Sequence, residues 1–326
     1  MIASMKPALK RLKHHYNKWT GFLLHSIALY LSKTTLGNSA YPIFHKHGFH
    51  LIRRNYEVPL PEPEDLGFLK SSDLVGINMR DEAQLAFMEN VIAPYKAEIN
   101  AFPAHETADP QQFYMVNGSY MAIDSHVYYA LIRTHKPQRI VEIGSGNSTL
   151  LAAAAIRQNL KEAASPTTLI SIEPYPADKL KKIPELSQLI QKKVQAVDLA
   201  VFQQLQAGDL LFIDSSHAFS AASDVWWEFC EILPRLAPGV FVHIHDISLP
   251  KPYPQVYLDT QRFWNEQYVL QTFLTYNSRF EVVWAGNYMM TQYPEKMAEF
   301  FAPGYQQMQD QFPFSEPSAF WMRVMG

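Results

Sequence analysis

The feature that most constrains the fold is the segment 139–149, which reads Arg-Ile-Val-Glu-Ile-Gly-Ser-Gly-Asn-Ser-Thr. Its β-branched run ends at two closely spaced glycines, and helix-forming residues follow over 150–160. This order predicts a buried parallel strand that turns sharply into a helix. Glycines let a ligand approach the backbone closely, and the first turn of a helix leaves N–H groups free. We therefore expect a ligand at this turn.

Two nucleotide ligands suit such a turn, and the sequence favours one of them. A dinucleotide fingerprint requires a third glycine, and an acidic residue about 20 positions past the turn. Here Thr149 replaces the third glycine, and the next acidic strand end is Glu173, 29 residues after Gly144. Glu142, inside the strand, suits a cationic group such as the amine of a methionine moiety. An NAD-dependent oxidoreductase is therefore the less favoured alternative.

Three later segments have the pattern of strands that end in polar side chains. They are 194–198, ending at Asp198; 208–214, ending at Asp214; and 238–246, ending at His245 and Asp246. Helices are predicted between the strands, near 150–160, 177–191 and 220–236. Alternating strands and helices indicate a parallel α/β sheet covered on both faces. Ligands of such sheets bind beyond the carboxyl ends of the strands, so these polar residues should meet on one rim.

The pattern E-x-G-x-G, followed by an acidic end of the second strand, resembles class I S-adenosylmethionine (SAM)-dependent methyltransferases. That family ends its sheet with two further strands, the last inserted antiparallel, and 280–285 and 319–324 have strand character. The resemblance implies a Rossmann-like, seven-stranded sheet with helices on both faces. The segments 212–217 and 242–247 are similar to a bacterial branch called methyltransferase family 24. That branch is similar to macrolide sugar O-methyltransferases and cephalosporin-hydroxylase-like proteins.

The resemblance also implies how the cofactor is held. In the family the glycine loop approaches the methionine part, the acid at the second strand end holds the ribose hydroxyls, and the third strand end often contacts adenine. Glu173 and Asp198 stand at the last two positions. The residues expected to bind SAM are Glu142, Gly144, Ser145, Gly146, Thr149, Glu173, Asp198 and Asp214.

A hydroxyl acceptor is a poor nucleophile until a base or a metal removes its proton. Asp214, His217 and His245 are the candidate catalytic residues. In the related sugar methyltransferases, carboxylates at matching strand ends bind a divalent cation, which implies that Asp214, His245 and Asp246 hold Mg²⁺ or Mn²⁺. His245 stands where a carboxylate is expected, so a metal-free general base is the alternative. His243, deeper in the same strand, is interpreted as a core residue.

The acceptor is expected to be a small molecule, a sugar or a glycan. An aromatic group follows the fifth strand, where this fold builds its acceptor pocket: Tyr253, Tyr257, Phe263, Trp264 and Tyr268. Core packing explains many of these side chains equally well. A SAM-binding protein without turnover, associated with a membrane glycan-assembly complex, is a further alternative.

The chain is expected to have three parts. Residues 1–57 form a basic arm, since residues 1–56 carry nine Lys and Arg and no Asp or Glu. Residues 58–114 comprise a proline-rich linker and a helical extension over much of 66–118, clearest at 82–99. Residues 115–326 form the methyltransferase domain, in which Asp124 is predicted to cap a helix over about 125–133.

The basic arm and the single cysteine are the features from which the cellular location of the protein can be predicted. The apolar run 19–31 is shorter than the roughly 20 residues of a membrane-spanning helix. Residues 1–33 suit either an anionic membrane surface or packing against the core or a second subunit of a homo-oligomer. No nucleic-acid-binding motif accompanies the charge. Cys230, predicted to be buried, permits no intrachain disulfide, which indicates a cytoplasmic protein, at the inner membrane face if the arm binds lipid.

Overall fold

The computed structural model describes residues 19–30, 44–48, 60–62, 64–162 and 165–326 of the chain. The chain divides into two compact units, Met1–Glu62 and Pro63–Gly326. In the first unit residues 19–30 are helical. The basic residues Lys6 to Lys18 lie outside the described residues. Among the described residues, no helix has both the length and the apolar character that crossing a bilayer requires.

The second unit is built on one seven-stranded sheet. The strands are β1 (Arg139–Ile143), β2 (Thr168–Ile172), β3 (Leu186–Ile190), β4 (Leu210–Ile213), β5 (Phe241–Ile244), β6 (Phe280–Ala285) and β7 (Phe320–Val324). Their order is β3-β2-β1-β4-β5-β7-β6. The first five strands are parallel, and β7 runs antiparallel to both of its neighbours. The predicted Rossmann-like sheet, with an antiparallel strand inserted near its end, is confirmed.

Helices cover both faces of this sheet. The α-helices of the second unit are α1 (Asp81–Phe87), α2 (Lys96–Asn100), α3 (Asp124–His135), α4 (Asn147–Lys161), α5 (Ala200–Gln203), α6 (Asp224–Trp227), α7 (Gln255–Asp259), α8 (Glu266–Leu274), α9 (Gly286–Gln292), α10 (Pro294–Phe300) and α11 (Gly304–Gln311). Ile140 of β1 packs in one core with α3 and α4, whereas Val141 packs in a second core with α8. Successive strand side chains point to opposite faces, so two cores form.

The third strand is not where the sequence pattern placed it. Residues 194–196 form a 3₁₀ turn, and the strand is Leu186–Ile190, inside the segment predicted to be helical. β3 lies at the edge of the sheet and exposes Ser187 and Gln188, so it lacks the apolar run of an internal strand. Asp198 is therefore not at a strand end. Its carboxylate accepts a hydrogen bond from the backbone N–H of Ala200 (2.9 Å).

Asp124 is not the N-cap of α3 but its first residue, since Ile123 precedes the helix with a φ of 75°. The Asp124 carboxylate accepts hydrogen bonds from the backbone N–H groups of Ser318 (2.9 Å) and Ala319 (3.0 Å). Ala319 directly precedes β7. The N-cap prediction was wrong because the Asp124 carboxylate binds backbone N–H groups of a segment that lies 194 residues further along the sequence.

The helical extension is shorter than predicted. Residues 81–100 are helical throughout, as α1, a π turn (Met88–Ile92), a 3₁₀ turn (Ala93–Tyr95) and α2, whereas 101–118 contains no helix. Buried Arg133 of α3 holds this extension through an ion pair of its Nε with Glu98 (2.9 Å). Cys230 is exposed rather than buried. It lies on a second π turn, Glu228–Ile232, in which Glu228, Phe229 and Ile232 are the buried residues.

Candidate functional site

The glycine turn between β1 and α4 is shaped on one side by β4. Gly144 has a φ of 84°, and a Cβ there would lie 2.0 Å from the carbonyl oxygen of Asp214. A Cβ at Gly146 would meet no heavy atom within 4 Å. Thr149 is buried, and its hydroxyl accepts a hydrogen bond from the Gly146 N–H (3.1 Å). The turn is thus closed at Gly144 and open at Gly146.

Glu142 stands directly before this turn and is fully buried. Its Oε1 accepts a hydrogen bond from the Tyr128 hydroxyl (3.0 Å), while its Oε2 has no partner among the described residues. Burial raises the pKa of Glu142 to about 7. The hydroxyl groups of Thr149, Tyr128 and Ser148 oppose this rise in pKa. Glu142 Oε2 is closed to solvent, so Glu142 supports the glycine turn from behind.

The end of β2 lies next to the same turn, because the Gly144 N–H donates to the Ile172 carbonyl (3.0 Å). Glu173 follows this strand and is half-buried, and its Oε1 accepts from the Tyr175 N–H (2.8 Å). The Ser145 hydroxyl is buried without a partner among the described residues. Glu173 and Ser145 therefore flank the turn as predicted from the strand order, whereas Asp198 does not follow a strand.

A cluster of one imidazole and two carboxylates lies at the ends of β4 and β5. His217 Nε2 is 3.4 Å from Asp214 Oδ1 and 3.4 Å from Asp246 Oδ2. One ligand atom from each of the three residues lies within 4.8 Å of the others. His217 and Asp246 both have positive φ, 60° and 55°, a strained conformation that often marks functional sites. Asp214 and Asp246 meet as predicted, but His217 takes the third place that we assigned to His245.

A buried carboxylate that the sequence did not reveal fixes the orientation of His217. Glu266, at the start of α8, places Oε2 2.8 Å from His217 Nδ1, so that Nε2 faces the two aspartates. Burial alone would lower the pKa of His217, but Asp214, Glu266 and Asp246 raise it well above 6.5. Trp264 packs on the same imidazole, with ring centroids 4.4 Å apart. No spacing rule pairs Glu266 with His217, because 49 residues separate them.

His245 lies beside the cluster rather than in it. Its Nε2 is 3.9 Å from Asp246 Oδ1, and its Nδ1 has no partner among the described residues. Burial lowers the pKa of His245, but Asp214, Asp246 and Asp124 outweigh it, so that the net shift is upward. This imidazole is therefore placed near the carboxylates, with one nitrogen unsatisfied.

His243 is a core residue, as predicted. It is fully buried, with its ring 4.1 Å from that of Phe212 and 4.7 Å from that of Trp321, measured between centroids. Burial holds its pKa well below 6.5, so it is neutral.

A cavity of about 780 Å³ opens beside Asp246. Its walls come from residues 118–124, which lead into α3, from the segment after β5, from the start of α9, and from α11 with the residues that lead to β7. Tyr257 lines it and packs on Trp264, with centroids 4.6 Å apart. The volume lies within the range of about 300–1,000 Å³ that is usual for small-molecule sites. The strand order, the glycine turn and the strand-end acids together define a class I methyltransferase.

Comparison with known proteins agrees with this class. A family model described as a methyltransferase domain, methyltransferase family 24, matches residues 141–247. An uncharacterized protein of Archaeoglobus fulgidus is 34% identical over 166 residues, which cover 49% of this chain and 72% of that protein. The chain belongs to this methyltransferase family. Neither the oxidoreductase alternative nor the non-catalytic alternative finds support in these matches.

The solved structures are less similar to this chain than the Archaeoglobus fulgidus relative is. The O-methyltransferase from Bacillus cereus in complex with S-adenosylhomocysteine (SAH) is 13% identical, covering 74% of this chain and 91% of that one, with a TM-score of 0.34. SAH-bound Podospora anserina methyltransferase PaMTH1 is 14% identical, covering 82% of this chain and 99% of that one, with a TM-score of 0.38. At such TM-scores these neighbours carry no weight, and the strand order of the chain itself defines its fold.

Proposed function

We propose that the protein transfers a methyl group from SAM to a hydroxyl of a small-molecule or saccharide acceptor. The observation that carries this proposal is the position of Asp214, whose backbone closes the glycine turn and whose carboxylate faces His217. The cofactor turn and the imidazole–carboxylate cluster thus share one residue. Methyl transfer from a sulfonium is an in-line displacement, which mainly requires alignment of acceptor and donor.

The cluster has the donor set of a divalent-cation site. Asp214 and Asp246 offer carboxylate oxygens. His217 offers Nε2 once a metal displaces the proton that the raised pKa of this imidazole keeps there, while its Nδ1 is held by Glu266. Such a buried carboxylate behind an imidazole is the usual support of a metal-binding histidine. We propose that these three residues hold Mg²⁺ or Mn²⁺, which would lower the pKa of an oxygen bound to it. His245 as a metal-free general base is the alternative.

Replacing Glu173 with alanine is expected to weaken SAH binding by tenfold or more. A charge-assisted hydrogen bond to the ribose hydroxyls contributes about 1.5–3 kcal/mol, and its loss sets this magnitude. Isothermal calorimetry with SAH measures the effect. Asp178→Ala removes a carboxylate that is 90% exposed on the segment after β2, and it should leave the affinity unchanged. Unchanged affinity in Glu173→Ala, or binding of NAD instead of SAH, would refute the proposed cofactor site.

We also propose that the basic arm binds an anionic membrane surface. Residues 19–30 are helical, and Trp19, Phe22 and Leu24 are each at least 65% exposed. Each basic residue near an anionic bilayer contributes about 1 kcal/mol, and buried apolar side chains add attraction that salt does not screen. The arm as a packing or dimer element is the alternative.

Deleting residues 1–33 is expected to abolish co-sedimentation with liposomes that contain phosphatidylserine. SAH affinity should persist, because the proposed cofactor residues lie after residue 140. The double variant Phe22→Ser/Leu24→Ser, in the full chain, should weaken the same binding, while liposomes of phosphatidylcholine alone should bind poorly. A full-length protein that ignores anionic liposomes at low salt would refute the membrane proposal.

A further inference from the structure

The turn that carries His217 has a backbone conformation that residues with a Cβ rarely adopt. His217 has a φ of 60°, in the left-handed region. Such a conformation persists only where the surrounding structure holds it in place. The start of α8 supplies one such hold, because the backbone N–H groups of Asn265 (3.1 Å) and Glu266 (3.2 Å) both donate to the His217 carbonyl.

The Asn265 side chain holds the same turn at a second point, two residues further on. Its Oδ1 accepts a hydrogen bond from the Phe219 N–H (2.5 Å), and its Nδ2 donates to the Phe219 carbonyl (3.3 Å). This pairing requires an acceptor and a donor at one end of a side chain, which an amide provides. The residues that follow His217 are therefore bound to α8 through both backbone groups of Phe219.

The Asn265 side chain binds this turn instead of its own helix. Asn265 occupies the N-cap position of α8, where an asparagine usually accepts a hydrogen bond from a backbone N–H of the first helical turn. Among the described residues of α8, none donates such a bond to the Asn265 side chain. The Glu266 N–H donates to the His217 carbonyl, and the Gln267 N–H donates to the Tyr253 hydroxyl (3.2 Å). The Asn265 amide is thus free to bind Phe219.

The position of this turn decides where the His217 imidazole lies. Its Nε2 is 3.4 Å from a carboxylate oxygen of Asp214 and 3.4 Å from one of Asp246, while its Nδ1 is 2.8 Å from Glu266. A shift of the backbone would change all three distances together. Glu266 fixes the orientation of the ring, and Asn265 fixes the backbone from which the ring projects. Outer partners of this kind hold metal-binding residues in place.

We infer that Asn265 is a positioning residue, which holds the His217 turn and thereby directs His217 Nε2 toward Asp214 and Asp246. Asn265 is not a member of the cluster and acts through His217. For the role of the cluster the inference rests on the proposed function. The hold on the turn itself can be measured without cofactor, ion or turnover.

Exchange of the His217 Nδ1 proton with water tests this inference. It is followed by NMR on the metal-free, full-length protein with ¹⁵N-labelled histidine, and the signal is identified by its absence from the spectrum of His217→Gln. Asn265→Ala removes both hydrogen bonds to Phe219, so the turn should open more readily. The exchange should therefore become faster by tenfold or more.

The matched control is Asn277→Ala, just beyond the other end of α8. Asn277 is half-buried, as Asn265 is. Its side chain also accepts from one backbone N–H, that of Arg279 (2.9 Å), and donates to one backbone carbonyl, that of Phe273 (3.0 Å). Loss of these bonds should leave the exchange at His217 as it is in the wild type.

Asn265→Asp keeps the acceptor for the Phe219 N–H and removes the donor, so it provides the same test if Asn265→Ala does not fold. The exchange at His217 should again be faster than in the wild type. Unchanged exchange in the folded Asn265 variants, or an equal acceleration in Asn277→Ala, would overturn the inference.

Binding of Mn²⁺ in the presence of SAH connects the turn to the cluster, and electron paramagnetic resonance of the free ion measures it. Asn265→Ala should weaken Mn²⁺ binding by tenfold or more, and Asn277→Ala should bind like the wild type. Faster exchange at His217 with unchanged Mn²⁺ affinity would overturn the positioning role. A wild type that binds no Mn²⁺ would refute the metal site of the proposed function, and the exchange at His217 would still decide whether Asn265 holds the turn.

Discussion

Replacing Gly144 with alanine is expected to destabilise the protein and to impair turnover. The left-handed backbone conformation costs a residue with a Cβ about 1–2 kcal/mol. The added methyl group would also lie 2.0 Å from the Asp214 carbonyl oxygen, and relief of such overpacking costs about 1–3 kcal/mol. If the free energy of unfolding falls by at least about 2 kcal/mol, Tm falls by about 4 °C or more. Thermal unfolding would detect this change. Turnover should fall because the backbone that carries Asp214 must move.

Gly146→Ala is the matched control, two residues further along the same turn. No heavy atom lies within 4 Å of its Cβ position, so Tm should change little. If the cofactor approaches the turn from this open side, the added methyl group should weaken SAH binding in an otherwise stable protein. A Gly144→Ala variant with the Tm and activity of the wild type would contradict the close approach of β4.

Removal of divalent cations with EDTA is expected to abolish methyl transfer, and Mg²⁺ or Mn²⁺ should restore it. Asp214, Asp246 and His217 offer three ligand atoms in one cluster, and oxygen-rich sites suit these ions. Turnover with a methyl-accepting saccharide measures the effect. SAH binding in EDTA is the control and should persist, because Glu142, the glycine turn and Glu173 lie outside this cluster and only Asp214 belongs to both sites.

Turnover that resists EDTA would instead favour His245 as the base. A base must be neutral to accept the proton, and the carboxylates near His245 raise its pKa above 6.5. Activity would then fall on the acid side of a midpoint that lies above pH 6.5. His245→Gln should remove this acid limb together with most of the activity.

The internal strands could be predicted from sequence because burial on both faces requires apolar side chains. β4 and β5 are buried along their whole length, and both carry such runs, interrupted in β5 by His243. β3 was misplaced because an edge strand tolerates exposed polar residues, which made Leu186–Ile190 resemble part of a helix. Local pattern thus located the strands that lie inside the sheet.

The sequence could predict those site residues that lie at or near the ends of strands. Asp214 and Glu173 follow strands directly and Asp246 lies two residues after β5, so parallel pairing brings them to one edge. The choice between His217 and His245 depended on backbone conformation, since His217 lies in a turn with positive φ. Glu266 enters the site through a contact with His217 that joins segments 49 residues apart, and no local sequence pattern predicts such a contact.

The insertion of β7 between β5 and β6 makes the site depend on a segment remote from the glycine turn. The residues that lead into β7 supply Glu316 to the cavity wall and Ser318 to both Asp246 and Asp124. A proteolytic cut near the exposed Phe314 would break the covalent link between α11 and this segment, while β7 stayed paired with β5 and β6. Such a cut would loosen the backbone that contacts Asp246 and Asp124 and leave the cofactor turn whole, so intact β1 to β5 do not by themselves guarantee activity.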